Sequence, residues 1–100
     1  MKLSVIASFY NEKESLNKFY NEIKKVLDEV NQDYEFIFIN DGSIDNSKEI
    51  VEGLCKKDIN VKLINTSRRF GNQECIFAGL KFMSGDAAVI IDTDLQDPPN

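Results

Sequence analysis

Apolar residues gather in four short runs, at positions 3–9, 34–39, 61–64 and 87–91, each bounded by polar or glycine-containing segments. Short apolar runs with little polar alternation predict strands covered on both faces. Between the first two runs, Leu16, Phe19, Tyr20, Ile23, Val26, Leu27 and Val30 recur at intervals of three and four. That stripe predicts an amphipathic helix with all seven side chains in the core. Ile50, Val51, Leu54 and Cys55 mark a second helix after an Asp-Gly-Ser turn, and Ile76, Phe77, Leu80 and Met83 mark a third that ends before Gly85. The order β-α-β-α-β-α-β predicts an α/β unit, a parallel sheet with right-handed crossovers and helices on both faces. In such sheets ligands bind beyond the carboxyl ends of the strands. Three polar segments fall there, at 8–12, 40–45 and 92–94.

One hundred residues, 42% hydrophobic and 29% charged, fit a single globular unit with a small core. The net charge of -5, with acids and bases interspersed, argues against a nucleic-acid partner. Cys55 and Cys75 fall in separate predicted helices without the spacing of a zinc or redox pair, and read as idle thiols in a reducing compartment. The first eight residues carry one lysine and too short an apolar stretch for a signal peptide. No segment approaches the roughly 18–20 apolar residues that span a bilayer. The expected location is cytoplasmic.

The most informative segment is Asp92-Thr93-Asp94-Leu95-Gln96-Asp97-Pro98-Pro99-Asn100, directly after the last apolar run. Alternate residues of an extended chain point the same way, so Asp92, Asp94 and Gln96 share a side. Oxygen donors of this kind suit a hard divalent cation; the alternative is a solvated acidic loop. Asp41, just beyond the apolar run Phe36-Ile37-Phe38-Ile39, could accept hydrogen bonds from a ligand's N–H groups or serve only as turn chemistry. Tyr10 could stack on a planar base and Ser8 offer a hydroxyl, or Tyr10 could be a half-buried loop aromatic with Asn11 capping the first helix. Asp45 or Ser47 could cap the second. Arg68 and Arg69, after the third strand, could meet a phosphate or join ordinary surface ion pairs. With no histidine in the chain, histidine acid–base chemistry and histidine metal ligation are excluded for it.

Val5-Ile6-Ala7-Ser8-Phe9-Tyr10-Asn11-Glu12, Phe38-Ile39-Asn40-Asp41-Gly42-Ser43-Ile44-Asp45 and Asp92-Thr93-Asp94-Leu95-Gln96-Asp97-Pro98-Pro99 together resemble the nucleotide-sugar-binding half of family-2 glycosyltransferases of the GT-A fold. The Leu-Gln-Asp-Pro-Pro extension is similar to the branch containing dolichol-phosphate mannosyltransferase and bactoprenol glucosyltransferases. The resemblance implies a Rossmann-like sheet across residues 1–100, forming the donor-binding part of a domain that continues beyond Asn100. It implies that Ser8, Tyr10, Glu12 and Asp41 hold the base and ribose, and that Asp92 and Thr93 lie beside the ribose and diphosphate. Asp94, with Asp92 and Gln96, would hold Mg2+ or Mn2+, making Asp94 the catalytic position. Three residues depart from the usual pattern: Ser8 replaces a common proline, Asn40 the first of two acids, and Asn100 a frequent glutamate.

These readings imply inverting, metal-dependent transfer of a hexose from a UDP- or GDP-sugar to polyprenyl phosphate. The full-length protein would work at the cytoplasmic face of the membrane, held there only by downstream sequence, and the isolated chain would not turn over. A phosphate acceptor is already anionic and needs no general base. Transfer to a glycan or protein hydroxyl is the alternative within the family, and would need a base encoded after Asn100. A catalytically dead nucleotide-binding module is another. A receiver-type signalling domain is the alternative of a different class, since it also gathers acids at the ends of parallel strands.

Overall fold

The computed structural model describes residues 1–11, 13–66 and 68–91, apart from the side chain of Asn72. These residues form β1 (Lys2–Phe9), α1 (Leu16–Glu29), β2 (Asp33–Asn40), α2 (Ser47–Lys57), β3 (Val61–Asn65), α3 (Asn72–Phe82) and β4 (Ala87–Ile90), in the expected alternation. All neighbouring strands run parallel, in the order β3-β2-β1-β4. The chain therefore builds outward from β1 to β3, then returns to the other side of β1. For crossovers of one hand, that reversal requires α3 to lie on the face opposite α1 and α2.

The packing follows this rule. Val5, Ala7, Phe9, Phe36 and Phe38 point to one face, where Leu16, Phe19, Tyr20 and Leu27 of α1 and Val51 and Leu54 of α2 cover them. Ile6, Ile37 and Ile39 point to the other and meet Cys75 of α3. Period-two alternation thus divides two strands that look uniformly apolar into two cores. The larger is aromatic: Phe38 meets Phe9 and Phe19 edge-on at 6.3 and 6.0 Å and stacks on Phe36 at 5.6 Å.

Two predicted stripes need correction. Val26 and Val30 are exposed, because Val30 lies beyond the last residue of α1 and Val26 sits on the flank of its buried face. On α3 the buried face is Cys75 and Gly79, while Phe77 is 64% exposed and Leu80 also reaches solvent. A Cβ on Gly79 would stand 2.5 Å from Ile6 Cγ2 and 3.0 Å from Ile39 Cδ1. The helix approaches the sheet through this missing side chain, which turns its longer apolar residues outward.

Glu35 interrupts the apolar run of β2 and is only 1% exposed. Its carboxylate accepts bonds from Ser4 Oγ, Lys62 Nζ and the Ser84 amide, each at 2.6 Å. Burial raises its pKa, but these three donors outweigh burial and bring it down to about 2. The bonds join β1, β2 and β3 to the turn before β4, fixing where the edge strand enters.

Candidate functional site

The winding direction reverses between β1 and β4, and in open α/β sheets this switch point opens a crevice at the carboxyl ends of the strands. Beside it, along the carboxyl edge of β1, β2 and β3, three loops gather. Tyr10 and Asn11 follow β1, residues 41–45 follow β2, and residues 66–71 follow β3.

Asp41 is held where β2 ends by its own amide, which donates to the Phe9 carbonyl at 2.9 Å. Its carboxylate turns toward the third loop: Oδ1 accepts the Phe70 amide at 2.7 Å, and Oδ2 the Gly71 amide at 3.0 Å. Gly42 makes this closeness possible. Its φ is +76°, and an added Cβ would lie 2.9 Å from the Arg69 amide nitrogen. The Cys75 thiol beneath is pushed up to about 12, chiefly by burial and then by its hydrogen bond to Asp41 and that residue's charge.

The same loop delivers Arg69 across the crevice. Its guanidinium carbon lies 3.7 Å from the centroid of the Tyr10 ring, and its Nε 3.8 Å from Asp41 Oδ2. Arg69 therefore touches both aromatic and acid, although its side chain is 60% exposed against 5% for Asp41. Arg68 instead lies over Phe70, at 4.9 Å from the ring centroid.

Asn11 ties the first two loops together and does not cap α1, whose N-cap is Ser15. With φ +52°, its Oδ1 accepts the Ile44 amide at 2.8 Å, while its own amide donates to Ser43 Oγ at 2.9 Å. Asp45 orders the start of α2, accepting the Ser47 amide at 2.9 Å and hydroxyl at 2.5 Å. Asn40 uses both ends of its amide, donating to Asn65 Oδ1 at 3.0 Å and accepting the Ser43 amide at 2.9 Å. An aspartate there would lose the donor, so asparagine suits the joint between β2 and β3.

Of the residues singled out from sequence, the structure brings Tyr10 and Asp41 to one crevice, with half-buried Ser8 on the adjoining end of β1. Asp41 acts here as an anchor for the third loop, and Arg69 stands over its side of the crevice. Glu12, Asp92, Thr93, Asp94 and Gln96 lie outside the described residues. The last described residue is Ile91, whose amide donates to the Ile6 carbonyl at 3.0 Å beside β1. No group of three cysteine, aspartate or glutamate side chains suited to a metal occurs among the described residues. Nor does any helix among them have the length and apolarity to cross a membrane.

Comparison with known proteins gives a consistent result. Residues 4–100 match the family model for glycosyl transferase family 2. The chain is 42% identical over 99 residues to the uncharacterized glycosyltransferase YkcC of Bacillus subtilis, covering 99% of this chain and 31% of that protein. It is 39% identical over 98 residues to the bactoprenol glucosyl transferase of Shigella phage SfV, covering 98% of this chain and 32% of the relative. The chain thus spans about a third of the length of these curated relatives. Among solved structures, S. aureus TarS 1-349 in complex with UDP-GlcNAc superposes with a TM-score of 0.80 at 26% identity, over 94% of this chain and 27% of that one. The mannosyltransferase PcManGT from Pyrobaculum calidifontis, in complex with GDP-Man and Mn2+, shares the fold at a TM-score of 0.79 and 21% identity, over 92% and 27% of the two chains. The sheet is the Rossmann-like sheet of GT-A transferases.

Proposed function

Because the chain belongs to glycosyl transferase family 2, we propose that it supplies the donor site of an enzyme that moves a hexose from a UDP- or GDP-sugar to polyprenyl phosphate with inversion. The observation that carries the reading is the meeting of Tyr10, Asp41 and Arg69 at the carboxyl edge of β1, β2 and β3. An aromatic face, a buried acceptor and a mobile-length cation together suit a nucleotide: ring for base, carboxylate for base N–H, guanidinium for phosphate. Similarity to a transferase that binds UDP-GlcNAc supports the donor class, and 39% identity to a bactoprenol glucosyl transferase supports the acceptor.

In the proposed reaction an acceptor phosphate oxygen attacks the anomeric carbon as the bond to the donor's diphosphate breaks. The bonding electrons leave with the nucleotide. The acceptor oxygen is already charged, so no side chain need remove a proton from it. Ser8, Tyr10, Glu12 and Asp41 orient the base and ribose, and Asp92 and Thr93 flank the ribose and diphosphate. The oxygen donors of Asp92, Asp94 and Gln96 fit Mg2+ or Mn2+ in hardness and kind. A cation held there would offset charge on the departing diphosphate. Asp94 is then a metal-holding residue, not a base. A polyprenyl-phosphate acceptor would set the transfer at the cytoplasmic face of a membrane, a reading supported by similarity to a bactoprenol glucosyl transferase. Membership of the family leaves the receiver alternative without support.

Titration calorimetry with UDP, GDP and ADP, with and without Mn2+, tests this reading. The expected result is binding of UDP or GDP that strengthens with Mn2+ and loses that gain in Asp94→Ala. Binding that ignores both metal and Asp94→Ala would falsify the metal role, and absence of any nucleotide binding would remove the donor site itself.

A further inference from the structure

Arg69 occupies a chemically specific place. A guanidinium is planar, carries N–H donors on its edge, and here lies over the Tyr10 ring while its Nε faces the Asp41 carboxylate. A nucleobase held by those two residues would need the same three properties: a flat face for the ring, an edge N–H for the acid, and the space between. Arg69 and the base cannot both hold that position. We infer that Arg69 is a built-in competitor of the nucleobase: it closes the empty slot by stacking on Tyr10, and donor binding displaces it. This inference rests on the donor-site reading and adds to it a regulated step, exchange of a side chain for a base.

The geometry supports exchange more than a fixed wall. The Asp41 carboxylate is already engaged by the Phe70 and Gly71 amides at 2.7 and 3.0 Å, so it stays in place when Arg69 leaves. The guanidinium is only 3.8 Å from that carboxylate and largely in solvent, where its contacts are weak and reversible. Backbone bonds hold the loop on either side, from Thr66 to the Asn40 carbonyl at 3.1 Å and from Cys75 to the Gly71 carbonyl at 3.2 Å. Displacement therefore requires rotation of one side chain, without refolding of the loop. Once displaced, the cation remains tethered beside the slot, free to meet the donor's charged phosphates.

The test compares uridine and guanosine with UDP and GDP on the wild-type chain, Arg69→Ala and Arg69→Lys. Uncharged nucleosides compete with the stacked guanidinium but gain nothing from its charge. Removing a surface cation–π contact should tighten the nucleoside that binds by roughly two- to fivefold in both variants. Arg69→Ala should lower the ratio of diphosphate to nucleoside affinity, and Arg69→Lys, which keeps the charge without the planar stack, should restore much of it. In the free protein the Arg69 Nε–H resonance should be shifted upfield by the Tyr10 ring and should lose that shift on saturation with UDP or GDP. Weaker nucleoside binding by Arg69→Ala, or an Nε–H resonance unchanged on saturation, overturns the exchange and makes Arg69 a fixed wall. If neither the wild type nor either variant binds any nucleotide, the donor-site reading itself fails.

Discussion

Gly42→Ala tests how the crevice is built. The perturbation is one methyl group at φ +76°, with the Arg69 amide nitrogen 2.9 Å, the Arg68 carbonyl carbon 3.1 Å and the Arg69 Cα 3.2 Å from the new Cβ. All three are backbone atoms, so no side chain can rotate away. The left-handed backbone alone costs a residue with a Cβ about 1–2 kcal/mol. Relieving the contacts moves residues 68–69 away and stretches the bonds from Phe70 and Gly71 to Asp41, at 2.7 and 3.0 Å. A hydrogen bond to a charged group contributes about 1.5–3 kcal/mol, so partial loss of two brings the expected destabilisation to about 2–4 kcal/mol. Urea unfolding followed by far-ultraviolet circular dichroism measures it. Gly53→Ala is the matched control: no atom lies within 4 Å of its added Cβ, it sits inside α2, and it should stabilise by about 0.5–1 kcal/mol. Opposite signs for the two substitutions are expected. A Gly42→Ala variant within about 0.5 kcal/mol of wild type would refute the claim that loop contact fixes this residue, given the magnitude expected of left-handed strain.

Other consequences follow from particular residues. Glu35 has a folded pKa of about 2 against an ordinary 4.5, so its contribution is complete above 4.5 and is lost as pH falls toward 2. Glu35→Gln should lower stability by about 1–3 kcal/mol at neutral pH and flatten the acid limb of unfolding midpoint against pH; parallel limbs would contradict this. Cys75 is buried with its pKa held up to about 12, whereas Cys55 is half-buried, so Ellman's reagent should label Cys55 first and Cys75 only on unfolding. Asp41→Asn should speed Cys75 labelling, because weakening the anchor of the Phe70 and Gly71 amides makes local opening above the thiol easier; unchanged kinetics would count against that anchor. The same variant should weaken UDP or GDP binding, measured by calorimetry.

The fold was largely legible because β1 and β2 are buried on both faces, and a run such as Phe36-Ile37-Phe38-Ile39 has few alternatives; the edge strands β3 and β4, expected to be covered as well, are partly and mostly exposed. Which face each side chain takes was not legible, since it depends on strand order and register. The stripe on α3 misled for a local reason: Gly79 packs closer than any side chain could, so the buried face follows the smallest residue. At the site, Tyr10 and Asp41 could be singled out because polar loops after apolar strands collect at one edge. Their common partner Arg69 was visible only as one of two surface arginines. Joining it to Tyr10 requires β2 to lie between β1 and β3, a long-range fact. Asn11 and Asn40 were open to several readings because the same amide can cap a helix or clasp a loop, and only the partner's position decides. Glu35 left a usable signal, a lone acid in an otherwise apolar run.

The central claim is that the loops at the carboxyl edge form a nucleotide site, and amide chemical-shift mapping of the 15N-labelled chain tests it most directly. Saturation with UDP or GDP in the presence of Mg2+ should move the amides of Tyr10 and Asn11, of residues 41–45 and 68–71, and of residues 92–96. Amides at the opposite edge, such as Gln32, Asn60 and Asp86, should stay still. Shifts confined to that opposite edge, or to the outer face of α3 around Phe77, would contradict the account.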